Sequence, residues 1–513
     1  MALNSNSLEP PKPGLQSVFH TVGRSVQSYP LAFLLTLAAA LRLYHVWMPI
    51  IGVHAWRQSD TAAMARNFYE NGFRLLYPQI DWGGSSPGFA ETEFPIYSYA
   101  VALIYKLLGV SDAYGRLLSI ICALISIYFL YKLVTLICDR QVAFWSSFFY
   151  TILPLNIFYS RTFQPESMLL MACIIGLYGF VCWLHEQNDG YLLLSAAFVT
   201  LACLIKVLPV VYVGLPLLFL AGLHFKGRLF WQWRLWLYAA VVLGATTAWY
   251  FHAHQIFLET GLGFGFWGSG SARYTWHDLL RFQFWGDILL RLVVRHFAIL
   301  GSIIFGVGLL SRRRFAQARL FEVGMISVLL ACALAPTSSY VHEYYQLPLM
   351  IYAVPFMGKA WVAVITGSSR LYKRLFAVCL ALMIVTGSAI YTIDYMMPEA
   401  LGRSEVYALA QQVQANTPAN ARVVAVTAGD PNLLYLADRK GWLTGPGEVT
   451  QEFVEAKAAA GADYLVGSYQ VVESHSAFTN EAQKAAIRSL IDDHLDAVIQ
   501  TERFYIARLP RAE

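Results

Sequence analysis

Long stretches almost free of charged residues fill the sequence between Pro30 and Met396. A membrane-spanning helix needs roughly 20 apolar residues to cross a hydrocarbon core of ~30 Å. Apolar runs of about that length lie near 30–50, 115–137, 142–158, 166–184, 191–206, 207–223, 235–253, 288–310, 320–336, 346–366 and 375–395. Only 13% of the residues are charged, against about 25% in soluble proteins. The sequence predicts a polytopic α-helical membrane protein with about eleven transmembrane helices.

Basic residues cluster in three short loops, at 226–234, 312–319 and 370–374. The positive-inside rule places such loops on the cytoplasmic side of a membrane. The apolar segment 96–109 is short and is either a partly inserted helix or a further span. If it does not span, the N-terminal tail 1–29 is cytoplasmic, and the long first loop 51–114 lies outside with the other polar loops. The charge pattern favours this topology.

The last part of the chain differs in texture from the predicted membrane domain at 30–398. The segments ARVVAVTAG, ADYLVGS and RFYIARL are typical of strands, and RSEVYALAQQVQA and NEAQKAAIRSLIDDHL are typical of amphipathic helices. Clusters of glycine and proline separate these segments. Residues 399–513 are therefore expected to form a small soluble α/β domain on the extracytoplasmic side.

Cysteine and charge usage exclude several classes of protein. All seven cysteines lie within or beside apolar runs and form no CxxC motif, so neither a disulfide framework nor a zinc–cysteine site is predicted. The formal net charge is only +5, and membrane orientation explains the basic loops. Nucleic acid is therefore not expected as a partner.

The first loop carries a dense polar and aromatic cluster directly after an apolar run. The segment HAWRQSD contains His54, Arg57, Gln58 and Asp60. We expect Asp60 at the N-terminus of the helix that follows, where capping and the helix dipole both favour an acid. A cap alone would explain Asp60, but polar groups at a membrane interface are costly unless they line a site. The cluster therefore predicts a functional site.

Further polar groups flank apolar runs on the same predicted side. Glu93 stands two residues before Pro95, where an acid coordinates a cation, positions a hydroxyl or is simply solvated. Arg161 and Glu166 bracket the boundary of a span, either as a helix start or as ligands of a phosphate and a sugar hydroxyl. Lys206 either snorkels to the interface or provides a cation for a lipid-linked phosphate.

A last cluster, SSYVHEYYQLP, contains His342, Glu343 and Tyr345. Several polar and aromatic groups beside one span favour a ligand-facing rim over a plain aromatic belt. Because the predicted topology puts all these clusters on one side, we expect them to converge on one outward-facing cavity.

Together these segments resemble the GT-C superfamily of membrane glycosyltransferases, in the branch that holds the protein O-mannosyltransferases and the lipid A aminoarabinose transferase. The segment AAMARNF is similar to the family's YAxxAREM helix, with RQSD at 57–60 in place of an Asp-Glu pair. EFPIY at 93–97 resembles a Glu-Lys-Pro-Pro-Leu-Phe-Tyr segment, with phenylalanine in place of the lysine. Arg161, Pro165-Glu166, Lys206 and the segment 342–348 match later family motifs in the same order.

The resemblance implies an inverting glycosyltransferase that moves a sugar from a polyprenyl-phosphate donor to a hydroxyl of a lipid, glycan or protein acceptor. It implies that Asp60 is the general base and Glu166 a further catalytic carboxylate. We expect Asp60 to have an ordinary pKa of ~4 and to be kept ionised by Arg57. The residues expected to bind the donor phosphate or substrate are Arg57, Arg161, Lys206, His54, Gln58, Tyr97, His342, Glu343 and Tyr345.

Elementary chemistry agrees with these roles. An acceptor hydroxyl is a poor nucleophile and needs a positioned carboxylate, while a leaving lipid phosphate needs cations that arginine and lysine supply without a metal. No cofactor is therefore required, and a divalent cation, if used, would bind at Glu93. The expected location is the bacterial inner membrane, with the site and the C-terminal domain outside the cytoplasm.

Two other classes stay open at this stage. A membrane polysaccharide polymerase or ligase uses similar outer loops. A transporter of lipid-linked sugars would place ionisable residues near the bilayer midplane and often contains repeated halves. Here the charges lie at the ends of spans and no internal repeat is visible, so the transporter is the weaker alternative.

Overall fold

The computed structural model describes residues 29–267, 277–311, 316–366, 371–402, 404–469 and 480–510. Of the predicted cytoplasmic tail 1–29, only the last position belongs to these residues. The basic positions 312–314 and 370 also lie outside them. Within the described part, the chain is mainly helical up to residue 401, and a five-stranded sheet follows. The predicted combination of a helical part and a small α/β part is confirmed.

Seventeen α-helices make up the helical part among the described residues. In chain order they are α1 (Pro30–Arg42), α2 (Ala55–Asn71), α3 (Ile96–Leu108), α4 (Asp112–Ile137), α5 (Arg140–Ile152), α6 (Pro154–Tyr159), α7 (Glu166–Glu186), α8 (Asp189–Ile205), α9 (Pro209–Tyr212), α10 (Gly214–Phe225), α11 (Trp233–Thr260), α12 (Phe282–Arg291), α13 (Leu300–Leu310), α14 (Arg319–Leu334), α15 (Pro336–Val341), α16 (Leu349–Thr366) and α17 (Leu371–Leu401).

Five helical segments in the described ranges are long and apolar enough to cross a membrane. They are Asp112–Ile137, Glu166–Glu186, Pro209–Trp231, Leu349–Thr366 and Val378–Glu399. A sixth candidate is the pair Phe282–His296 and Leu300–Leu310, which is bent by 106°. The expected total of about eleven spans stays a prediction. The helix α3 in the segment 96–109 has 13 residues, which is about 20 Å and too short to span alone.

Several apolar runs contain breaks in the helical backbone. Pro154 starts α6 and Pro209 starts α9, and each interrupts an apolar run, because proline cannot continue the hydrogen bonding of the preceding helix. Between α12 and α13, Ala298 and Ile299 both have positive φ angles of 50° and 61°. These conformations are costly for residues with a side chain, above all for β-branched isoleucine. Hydropathy alone does not reveal such breaks.

The helix α7 is the centre of the helical part. It packs against α4 and α8, and 94% of its apolar window is buried. A helix that is apolar on all sides suits such a central position. Its first residue is Glu166, so this carboxylate is fixed at one end of the most buried of the candidate spans.

The C-terminal part is an α/β unit. Its elements are α18 (Glu405–Asn416), β1 (Arg422–Val426), α19 (Asn432–Ala437), β2 (Lys440–Thr444), α20 (Gln451–Ala459), β3 (Tyr464–Ser468), α21 (Glu481–His494), β4 (Asp496–Gln500) and β5 (Phe504–Arg508). The strand order is β2-β1-β3-β5-β4, with β1 parallel to both neighbours and β5 antiparallel to both of its own. The three predicted strands are confirmed as β1, β3 and β5. The sequence pattern does not predict β2 and β4, and β4 is a largely exposed edge strand.

This α/β unit docks on the first loop. The Asn432 amide donates to the Ser59 hydroxyl at 2.6 Å, and the Gly84 amide donates to the carbonyl of Gly441 at 2.7 Å. Arg66 forms an ion pair with Asp438 at 2.7 Å. Because α2 and the α/β unit share these contacts, they lie on the same side of the helical part.

Candidate functional site

The helix α2 begins earlier than the sequence suggests. His54 takes a left-handed conformation, with φ of 53°, and its carbonyl accepts hydrogen bonds from the amides of Arg57 and Gln58. The helix therefore starts at Ala55 and continues without a break to Asn71. The predicted N-terminal position of Asp60 is therefore wrong: Asp60 lies in the second turn and does not cap the helix.

Asp60 is enclosed next to the α/β unit. Its side chain accepts a hydrogen bond from the indole of Trp82 at 3.0 Å, and the residue is 2% exposed. Burial raises the pKa of the Asp60 carboxyl well above its ordinary value, and Trp82 only partly opposes the shift. The expectation of an ordinary pKa held by Arg57 is wrong, because burial outweighs that charge and Arg57 has another partner.

That partner of Arg57 is Glu93, with which it forms a short ion pair. The guanidinium carbon also lies 4.5 Å from the ring centroid of Phe264. The Glu93 carboxylate thus faces a cation, and the described residues contain no group of three or more His, Cys, Asp or Glu arranged to hold a metal ion. This donor set does not fit the metal site suggested at Glu93.

Lys206 and Glu166 form a second buried ion pair, where α8 ends and α7 begins. The Lys206 Nζ atom lies 2.9 Å from Glu166 Oε1. It also lies 4.4 Å from the ring centroids of Tyr344 and Tyr345, which is a cation–π arrangement. Lys206 is only 6% exposed, so the snorkelling interpretation is wrong. The second oxygen of Glu166 has no partner in another described residue.

Aromatic rings join the two ion pairs. The His54 ring lies 5.4 Å from Tyr344 and 5.8 Å from His342. His342 in turn stacks on Tyr344 at 5.1 Å and lies 5.4 Å from Trp56. The start of α2 and the segment 342–345 therefore form one continuous wall beside Lys206.

Glu343 lies in the same segment and is held by three side chains. Its carboxylate accepts hydrogen bonds from the hydroxyls of Tyr159 at 2.9 Å and Tyr395 at 2.7 Å. Arg295 pairs with it at 2.8 Å. The structure thus gives Glu343 three protein partners, so it positions the segment 342–345 rather than standing free for substrate.

Two other residues that the sequence predicts to bind substrate form hydrogen bonds within the protein. The Gln58 amide nitrogen donates to the carbonyl of Val53 at 3.2 Å, and its oxygen accepts from the Phe163 amide at 3.0 Å. The Tyr97 hydroxyl donates to the carbonyl of Gly115 at 2.6 Å. Both residues are buried. Their polar atoms bind the protein in this structure, and their predicted contact with substrate stays a prediction.

Arg161 is also not in this wall. Its guanidinium pairs with Glu399 at 2.9 Å and donates to the carbonyls of Tyr44 and His45. Glu399 also pairs with Arg116 at 3.3 Å. All three charged side chains are almost fully buried. Arg161 therefore fixes the chain that leaves α1 against the end of α17, and its predicted contact with a phosphate stays a prediction.

The segment 261–267 covers part of the site. The Glu91 carboxylate, which is fully buried, accepts hydrogen bonds from the amides of Gly265, Phe266 and Trp267 at 3.0, 2.7 and 3.2 Å. This anchoring holds the neighbouring Phe264 over Arg57. Access to Arg57 therefore depends on how this segment sits.

We call the convergent group the central cluster. It consists of His54, Arg57, Glu93, Glu166, Lys206, His342, Glu343 and Tyr345. Sequence reasoning missed Tyr159 and Tyr395 as its partners, whereas Tyr344 belongs to the predicted cluster SSYVHEYYQLP. Tyr159 stands inside the segment YSRTFQPE, so its proximity to predicted residues was an available signal. Tyr395 lies in an apolar helix and carried none.

Similarity to known proteins agrees with this arrangement. Residues 91–251 match the family described as dolichyl-phosphate-mannose-protein mannosyltransferase. That range contains Glu93, Glu166 and Lys206 of the central cluster. No curated protein sequence matches the chain significantly.

Solved structures with the same fold include ArnT from Cupriavidus metallidurans. Its apo structure aligns with a TM-score of 0.68 at 13% identity, covering 94% of this chain and 98% of ArnT. The structure of that ArnT bound to undecaprenyl phosphate gives 0.65 at 13% identity, covering 93% and 97%. The oligosaccharyltransferase of Archaeoglobus fulgidus aligns with a TM-score of 0.57 at 12% identity, covering 87% and 70%.

The chain thus has the fold of ArnT and of this oligosaccharyltransferase, and its residues 91–251 are similar to the mannosyltransferase family, as the resemblance to membrane glycosyltransferases predicts. Together with the apolar helices, these matches define the chain as an integral membrane protein.

Proposed function

We propose that this protein is an inverting glycosyltransferase that transfers a sugar from a polyprenyl-phosphate donor to a hydroxyl of a lipid, glycan or protein acceptor. The observation that carries the proposal is the central cluster. Two buried ion pairs, Arg57 with Glu93 and Lys206 with Glu166, and a wall of aromatic rings meet between the first loop and the ends of the helices. A donor with a lipid tail needs a site of this kind next to the membrane.

Lys206 and Arg57 are the proposed ligands of the donor phosphate. Each is buried and paired with a carboxylate, so each is held in place before a ligand arrives. A buried cation stabilises developing negative charge far better than one in water. His54, His342 and Tyr345 would line the space for the sugar and contribute ring faces and hydrogen bonds.

The proposed reaction is a single displacement. The acceptor hydroxyl forms a bond to the anomeric carbon as the bond from that carbon to the phosphate oxygen breaks. The phosphate leaves with the electron pair, and the hydroxyl proton passes to a carboxylate. Asp60 is the proposed base, and Glu166, through its second oxygen, is the proposed contact for a substrate hydroxyl. Attack opposite the leaving group inverts the anomeric configuration.

The test of this function is direct. Purified protein is incubated with a panel of polyprenyl-phosphate sugars and candidate acceptors, and mass spectrometry searches for transferred mass. Transfer of a sugar with inverted anomeric configuration supports the proposal. Translocation of intact donor across vesicles without any transfer would instead favour a transporter.

We further propose that the site and the α/β unit face the extracytoplasmic side of a bacterial inner membrane. The basic loops support this orientation. Protease added to sealed inside-out vesicles is expected to leave the α/β unit intact. Loss of the unit there would place both it and the first loop in the cytoplasm.

Lys206→Gln is expected to weaken donor binding about tenfold or more, because a hydrogen bond to a charged group contributes about 1.5–3 kcal/mol. The measurement is equilibrium binding of a polyprenyl phosphate. Lys359→Gln is the control, since Lys359 donates a hydrogen bond to the carbonyl of Ser311 and does not belong to the central cluster. Equal affinities of the Lys206 variant and wild type would remove Lys206 from the phosphate site.

A further inference from the structure

A cleft of about 390 Å³ lies between the first loop and the α/β unit. We call it the outer cleft. It is lined by Asn71, Gly72, Arg74, Tyr77, Gln79, Ser86, Pro87, Phe89 and Lys440. None of these residues belongs to the central cluster. From Arg57 to Asn71, the helix α2 rises about 20 Å, so the two sites are separate.

The floor of the outer cleft is a network of amides. The Asn71 amide donates to Gln79 Oε1 at 3.0 Å and to Asn67 at 3.2 Å. Gln79 donates to the carbonyl of Pro87 at 2.9 Å, and Lys440 donates to Asn67 at 2.7 Å. These bonds fix the polar groups in place, so the cleft is organised before any ligand binds.

One wall of the cleft is aromatic. The Tyr77 ring is 44% exposed and packs edge-on against Phe89 at 5.8 Å and His252 at 5.2 Å. The His252 ring nitrogen lies 2.9 Å from the carbonyl of Leu76. These contacts hold a large exposed ring steady beside the amide floor, which suits the apolar C–H face of a sugar ring.

The polar groups left for a ligand are mainly donors. The Arg74 side chain has no hydrogen-bond or ion-pair partner among the described residues, and its guanidinium offers five N–H groups. Lys440 uses one of its three N–H groups on Asn67, and Gln79 keeps one N–H. The lining contains no carboxylate. Such a donor set favours a ligand rich in acceptor oxygens that carries negative charge.

We infer that the outer cleft is a binding site for an acidic saccharide, a sugar chain that carries carboxylate groups, as the part of the acceptor distant from the reacting hydroxyl. Only the role of this saccharide as part of the acceptor rests on the proposed function. Binding energy from such a remote part of a substrate helps to place the reacting group. The cleft lies on the same helix as Arg57 and Asp60, which provides a rigid link between them.

The experiment measures binding of trigalacturonate, a trisaccharide of uronic acids, to the purified full chain by calorimetry. Neutral maltotriose is the comparison ligand. Trigalacturonate is expected to bind at least about tenfold more tightly, and Arg74→Gln and Tyr77→Ala are each expected to weaken it by about tenfold. Tyr69→Ala is the matched control, because Tyr69 is similarly exposed at 39% but packs against Tyr105 outside the cleft.

Each outcome is decisive. No measurable binding of trigalacturonate, equal binding of maltotriose, or full binding by both cleft variants would overturn the inference. Because the binding measurement needs no turnover, absence of donor turnover in wild type would defeat the proposed function alone.

Discussion

Replacing Asp60 by asparagine is expected to lower the turnover of a polyprenyl-phosphate sugar by ~10²–10⁴-fold, the usual contribution of a general base. Asparagine keeps the shape of the side chain and an oxygen that accepts from the Trp82 indole. It removes only the ability to accept a proton. The fold and the affinity for donor should therefore stay as in wild type, which separate melting and binding measurements check.

A neighbouring aspartate provides the control for this variant. Asp81 is equally buried, at 2% exposure, but pairs with Arg66 at 2.6 Å. Asp81→Asn is expected to lower stability while leaving the rate per folded molecule within a few-fold of wild type. If Asp60→Asn turns over as fast as wild type, Asp60 only ties α2 to Trp82, and the base must be sought at Glu166 or Glu93.

The pH dependence of the rate tests the same assignment. A base must be deprotonated to act, and burial raises the pKa of Asp60 above its ordinary value. The rate is therefore expected to fall with decreasing pH through a value above ~4, the ordinary range for a free carboxyl. The limb should be absent from the residual activity of Asp60→Asn. A limb at or below ~4 in wild type would contradict a buried base.

Glu399→Ala is expected to destabilise the protein by about 3–5 kcal/mol, the typical effect of removing one partner from a buried ion pair. Glu399 is the carboxylate shared by Arg116 and Arg161, and its side chain is only 3% exposed. Its loss leaves two buried guanidinium groups facing each other without a counter-charge. Glu399→Gln keeps an acceptor oxygen and should lie between the alanine variant and wild type.

Thermal unfolding of the purified variants measures this effect. The control is Glu405→Ala, because Glu405 pairs with Arg503, whose side chain is 52% exposed. Exposed pairs contribute about 0–1 kcal/mol, so this variant should melt close to wild type. Similar melting temperatures for both alanine variants would show that the Glu399 cluster has no special role in stability.

The convergence of polar residues could be predicted from the sequence where those residues border the end of an apolar helix. Lys206, Glu166 and His342 each border an apolar run, and the membrane restricts where such ends can lie, so their convergence was predictable. The same logic failed for Arg161. Its partner Glu399 is 238 residues away and gives no local signal, and a buried arginine with a carboxylate looks the same in sequence as a ligand site.

Local backbone geometry set the other limit. Because His54 takes a left-handed conformation, α2 starts earlier in the chain than predicted, and Asp60 no longer lies at the helix end. In a sequence, glycine is a signal for a left-handed conformation, whereas histidine is not. The strands β2 and β4 were missed for a related reason, since neither is a continuous buried run.

The contact between Ser59 and Asn432 has a consequence for how the protein matures. The two residues are 373 positions apart, and a ribosome adds ~5–20 residues each second. The helix that carries Asp60 is therefore made roughly 20–75 s before the unit that packs on it. During that interval Ser59 lacks its partner Asn432, and Asp60 lacks the unit that encloses it. On the proposed function, the newly inserted chain would be inactive until this unit has folded, so synthesis itself would impose a delay between insertion into the membrane and the first turnover.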